Sequence, residues 1–200
     1  MKSGLIKSFL RWCPGAIGIL LRKKLYPFFL GACGRGVLFG RFIDFQNTKN
    51  IHIGDNVIVS NHCRLLAGVD KCQSITIEND VFVGIGTILH AESEAVFVNW
   101  GTNIGSGCRI IARKSVLIGS DVLIAAYCVI GKELSCPEGQ KGNAYTMIGD
   151  NVWLGTRSQI LTSIHVDDGA IIGAHAIVNT HINACGIAMG RPARIVRYRK

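Results

Sequence analysis

From Ile53 onward an aliphatic side chain returns every sixth residue. The series runs Ile53, Val59, Leu65; Ile77, Val83, Leu89; Val98, Ile104, Ile110; Ile118, Ile124, Ile130; Ile148, Leu154, Ile160; and Val166, Ile172, Val178. These are six blocks of eighteen residues, separated by insertions of 6, 3, 2, 12 and 0 residues. A second column keeps the same frame. The fifth position of each middle hexad is Cys63, Thr87, Cys108, Cys128, Ser158 and Ala176, all small. Position two of the same hexads is Ser60, Gly84, Gly105, Ala125, Gly155 and Gly173, as tight corners require. Three short strands per eighteen residues make one triangular turn of a coil. Turns stacked at about 4.8 Å pair their backbones, so six turns give a prism on the order of 30 Å tall. Like residues then stack into columns that fill the interior. An ordinary β-sandwich would instead show period two with irregular spacing.

This frame predicts an all-β solenoid over residues 36–187, with a loop at 136–147, a basic tail at 188–200 and a different segment at 1–35. Residues 4–30 are expected to be helical, broken at Pro14 and Pro27. A coil end exposes unpaired strand edges, which such a segment can cap. It can also lie on a membrane surface. Its longest apolar run is far shorter than the about 20 residues a bilayer span takes. No convincing secretory cleavage site follows it, so a cytoplasmic location, peripheral at the inner membrane, is expected.

Charge sharpens the division. Of 22 Lys and Arg residues, eight fall in residues 1–43, which hold no acid, and five in the last ten. The remaining nine face all 13 Asp and Glu, so the middle is mildly acidic. Basic ends on an acidic middle speak against a nucleic-acid groove and for anion or anionic-surface contact at the ends. Cysteines in the small column read as unreactive core residues.

The chain resembles the left-handed parallel β-helix, hexapeptide-repeat acyltransferases, nearest to bacterial O-acetyltransferases acting on surface polysaccharides. The resemblance rests on Ile118–Cys128, on "IGDNVWLGTRSQIL" at 148–161, and on "GAIIGAHAIV" followed by "AMGRPARIV". It implies a left-handed coil with an N-terminal helical cap, and a homotrimer with active sites between neighbouring prisms. It also implies acetyl-CoA as donor with no metal, and a small-molecule or lipid-linked sugar as acceptor. By motif, Trp153, Gly155 and Ser158 would border the pantetheine arm, with Arg191 and Arg194 near the nucleotide phosphates.

In the family, the loop at the 136–147 position carries the catalytic histidine, but residues 130–147 contain none. Glu133 could be the base instead. His90 could serve, although its column places it two turns, roughly 10 Å, from Gly131. Cys136 could form an acyl-enzyme, but nothing near it in sequence would activate the thiol. Alternatively the chain is a catalytically silent binding or scaffold member. His175 and His181 stand six apart and face different sides of the prism, which speaks against a shared zinc site. His52, His62 and His165 read as ordinary surface residues.

Overall fold

The computed structural model describes residues 10–133 and 145–199. The aliphatic columns stack as the six-residue period predicts. Ile53, Ile77, Val98, Ile118, Ile148 and Val166 lie in register in one parallel sheet. Val59, Val83, Ile104, Ile124, Leu154 and Ile172 do so in a second, and Leu65, Leu89, Ile110, Ile130, Ile160 and Val178 in a third. Among the described residues the three sheets hold seven, nine and seven strands. The architecture is a left-handed parallel β-helix.

The small column earns its composition by hydrogen bonding. The Cys63, Cys108 and Cys128 thiols donate to the carbonyls of Gly84, Ala125 and Gly155 on the next turn at 3.1–3.2 Å. The Thr87 hydroxyl donates to Gly105 in the same way at 2.8 Å. A buried polar atom stays only where it finds such a partner, so this column takes small side chains, and the polar ones among Cys63, Thr87, Cys108 and Cys128 donate to the next turn. Burial pushes the Cys63 thiol up to about 11. At the corner between the first and second sheets the chain takes a positive φ at Asn56, Asp80, Asp121 and Asn151. Asn and Asp tolerate that conformation best among residues with a side chain.

One turn precedes the six predicted ones. Cys33, Phe39 and Phe45 pair with Ile53, Val59 and Leu65. Above it lies helix α1 (Gly15–Leu25). Tyr26, just past the helix, packs edge-on against Phe39 and Phe45 at centroid distances of 5.2 and 5.3 Å. Arg22 is 1% exposed. Its guanidinium donates to the carbonyls of Phe39, Leu10 and Cys13 at 3.0, 3.1 and 2.8 Å. Those three acceptors compensate a buried cation and tie the helical segment to the first turn. Burial lowers the Arg22 pKa from its ordinary value.

At the other end, strands Gly186–Gly190 and Ala193–Tyr198 form an antiparallel hairpin that extends the second sheet.

Candidate functional site

The long insertion leaves the strand Val129–Lys132 of the third sheet and returns at Thr146–Ile148 of the first. It therefore emerges at the corner where those two sheets meet. Cys136 and most of the loop lie outside the described residues. The strand before it carries a bulge: Ile130 pairs with Ile160, but Lys132 pairs with Leu161. Gly131 fills the bulge with φ +79°, and a Cβ there would lie 2.0 Å from the Ile111 carbonyl oxygen. Only glycine fits, and the bulge turns Lys132 and Glu133 out at the corner. The Lys132 ammonium donates to Gln159 Oε1 at 2.9 Å.

Glu133 is an exposed carboxylate ion-paired with Arg113, whose Nε also bonds Glu92 Oε2 at 2.8 Å. Arg113 thus links three successive turns along one ridge. That pairing commits the carboxylate to Arg113. His90 lies on the same corner, in register with Leu66 and Ile111, two turns from the bulge as its column requires.

On the first-sheet side of the corner the structure assembles a cluster that the spacing did not reveal. Tyr145 closes the insertion, and its ring lies 4.8 Å from that of His165. The His165 ring is 6.3 Å from that of His181. His181 Nε2 is 3.1 Å from Asp167 Oδ2. His165 is not the ordinary surface residue expected: it is half-buried, and its Nε2 is enclosed without a hydrogen-bond partner. The bridge between Val166 and Ile182 sets His181 beside His165. It joins residues sixteen apart instead of eighteen, a shift of register that the six-residue frame does not give. Among the described residues no three His, Cys, Asp or Glu side chains converge as metal ligands would.

The residues assigned to the donor lie elsewhere. Trp153 projects from the outer face of the second sheet, half exposed, between Leu123 and Ile171. Gly155 follows the same strand at the corner, and its missing side chain has a packing reason: a Cβ would lie 2.6 Å from Ala174 N on the next turn. Arg191 sits at the turn of the C-terminal hairpin and donates to the His175 carbonyl at 2.7 Å, with a second nitrogen 3.2 Å from His175 Nδ1. Arg194 is exposed on the hairpin's second strand. Ser158 is a correction: its side chain is wholly buried in the small column, 3.4 Å from the Cys128 thiol, so its hydroxyl packs the shaft instead of lining an outer groove.

In a triangular prism, the corner between two faces lies opposite the third. Glu133, His90, His165 and His181 belong to the corner of the third and first sheets. Trp153, Gly155, Arg191 and Arg194 belong to the second sheet and its edge. A single chain does not bring the two groups together.

Residues 145–180 match the family described as bacterial transferase hexapeptide (six repeats). Galactoside O-acetyltransferase of Escherichia coli (strain K12) is 30% identical over 143 residues, which cover 64% of this chain and 69% of that one. A serine acetyltransferase of Staphylococcus epidermidis is 30% identical over 105 residues, and the match spans 48% of this chain and about half, 49%, of that protein. A crystal structure of a mutant of AntD, an N-acyltransferase from Bacillus cereus, in complex with dTDP-4-amino-4,6-dideoxyglucose and coenzyme A, superposes with a TM-score of 0.59 at 19% identity, covering 90% of this chain and 89% of that one. That likeness establishes the fold. With its stacked hexads and an acetyltransferase relative matched over two thirds of that relative's length, the chain belongs to the hexapeptide-repeat acyltransferase family.

Proposed function

We propose that the protein transfers an acetyl group from acetyl-CoA to a sugar hydroxyl in polysaccharide or lipopolysaccharide assembly, at a site shared between neighbouring copies of a homotrimer. The observation that carries the shared site is the opposition just described: the loop corner and the Trp153 sheet face away from each other in one chain. The second sheet's outer face supports association. Leu38, Ile58, Phe82, Asn103, Leu123 and Trp153 follow in register, apolar at every step but one, and Leu38, Ile58, Leu123 and Trp153 are all exposed. Such a strip is unusual on a solitary soluble surface. Packed against the loop corner of the next copy, it makes a cleft. The donor's pantetheine lies along Trp153, and its phosphates meet Arg191 and Arg194.

In that cleft the acceptor hydroxyl gives its proton to a base as its oxygen attacks the thioester carbonyl. The C–S bond then breaks, and the departing sulfur takes the proton back from the base. His181 suits the role best. Asp167 holds one ring nitrogen and orients the imidazole, which leaves the other nitrogen to accept a proton. Glu133, held by Arg113, serves to fix the corner. The galactoside acetyltransferase's name supports a sugar hydroxyl as acceptor.

Thiol release from acetyl-CoA with a panel of sugar acceptors is the test. His181→Asn is expected to lower kcat about 100-fold or more while leaving KM for acetyl-CoA unchanged. Glu133→Gln is expected to stay within a few-fold of the unaltered protein. An unaffected His181→Asn together with an inactive Glu133→Gln would transfer the role of base to the carboxylate. Coenzyme A binding without turnover on any acceptor would make the protein a silent binding member and overturn the enzymatic reading.

A further inference from the structure

The N-terminal cap presents its apolar side outward. Gly18 and Arg22 are the buried positions of α1, with Leu21 and Leu25 half-buried beside them. At about 100° per residue, Ala16 and Leu20 fall on the opposite face and Ile17 at its edge. Ile17 is 70% exposed and Leu20 64%. Lys23 and Lys24 flank Leu20 on its two sides, one turn on, and both are exposed. Two aromatic side chains bracket the helix: Trp12 is 60% exposed and Phe28 75%. Arg11, also exposed, is ion-paired with Asp44 at 3.6 Å and adds no free cation to this face. No acid occurs before Asp44.

Folding alone does not account for this face, because the inner face of α1 already caps the coil. Two occupants could cover it. A second copy meeting it face to face would bring Lys23 and Lys24 against their own counterparts, with no acid in the helix to offset them. An anionic lipid surface would take the apolar side chains below the headgroups and the cations among them. The aromatic side chains at the ends would sit at the boundary, where such rings are favoured. At about 16 Å the helix is too short to cross a bilayer, so it would lie along the surface.

We propose that the N-terminal cap docks the protein on anionic membrane surfaces through the Trp12–Phe28 face. The inference is independent of the transfer chemistry. Docking would hold the coil beside acceptors that are themselves carried in a membrane.

Co-sedimentation of the full chain with phosphatidylcholine vesicles, with and without phosphatidylglycerol, tests the proposal. Binding is expected only with the anionic lipid and should weaken as salt rises. Lys23→Glu/Lys24→Glu should weaken it at least tenfold, since each cation near such a surface contributes about fivefold. Ile17→Asn/Leu20→Asn should abolish it. Both variants alter exposed positions, so their circular dichroism and melting should match the unaltered protein. Equal binding to both vesicle types, or none to either, would overturn the proposal. So would a smaller particle in size-exclusion chromatography for Ile17→Asn/Leu20→Asn, which would make the face a contact between copies.

Discussion

Gly131→Ala is the sharpest structural test of the corner. Gly131 carries φ +79° and would place a methyl carbon 2.0 Å from the Ile111 carbonyl oxygen. Gly86→Ala is its control, because Gly86 has nearly the same φ, +70°, with nothing within 4 Å of the new carbon. The conformational cost of a side chain in the left-handed region is about 1–2 kcal/mol and falls on both. Gly131→Ala must also displace backbone in a packed strand, which adds about 1–3 kcal/mol. For a chain of this size 1 kcal/mol moves the melting temperature by roughly 2–4 °C. Gly131→Ala should therefore melt roughly 2–12 °C below Gly86→Ala in parallel thermal scans. The bulge also aims Lys132 and Glu133, neither of which takes part in the proton transfer, so thiol release below the melting range should stay within a few-fold for Gly131→Ala and Gly86→Ala alike. Equal melting of the two variants would refute the reasoning that close approach, and not φ alone, demands glycine there.

Ile124 is 1% exposed and stacked between Ile104 and Leu154; Ile124→Ala should cost about 2–5 kcal/mol in urea unfolding. Maleimide labelling read by peptide mass spectrometry should modify exposed Cys72 and Cys185 readily and leave Cys63, Cys108 and Cys128 unmodified until the coil unfolds, since they are buried and the Cys63 thiol is pushed up to about 11. The Glu94 carboxylate is held below its ordinary range by the Ser115 hydroxyl and backbone N–H. A folded value below the unfolded one, about 4.3, gives stability that is present above that value and lost as pH falls through the folded value. Glu94→Gln should remove about 1 kcal/mol at neutral pH, allowing for solvent screening of a half-buried pair, and flatten the acid limb of a stability–pH curve.

The coil was legible because every interior position repeats the same steric problem, and Ile, Val and Leu solve it alike. The sequence predicts the solenoid from residue 36, but the register of its first turn was not legible, because Cys33, Phe39 and Phe45 keep the spacing and not the residue type. The rings of Phe39 and Phe45 pack there edge-on against Tyr26 of the cap. Ser158 shows two readings in conflict. Its column placed it among small core residues, the family motif placed it at the cofactor, and the column prevailed. The His165–His181–Asp167 cluster was not legible, because it depends on the bridge between Val166 and Ile182, which departs by two residues from the eighteen-residue register. That the loop corner and Trp153 oppose each other follows from assigning strands to sheets, which spacing alone permits but residue identity does not announce.

A crystal structure with coenzyme A bound would test the shared site directly. The expected arrangement has the pantetheine arm against Trp153 of one copy and the sulfur at the 132–145 corner of its neighbour, with the His181 imidazole nearby. Coenzyme A held entirely within one copy, away from that corner, would contradict it.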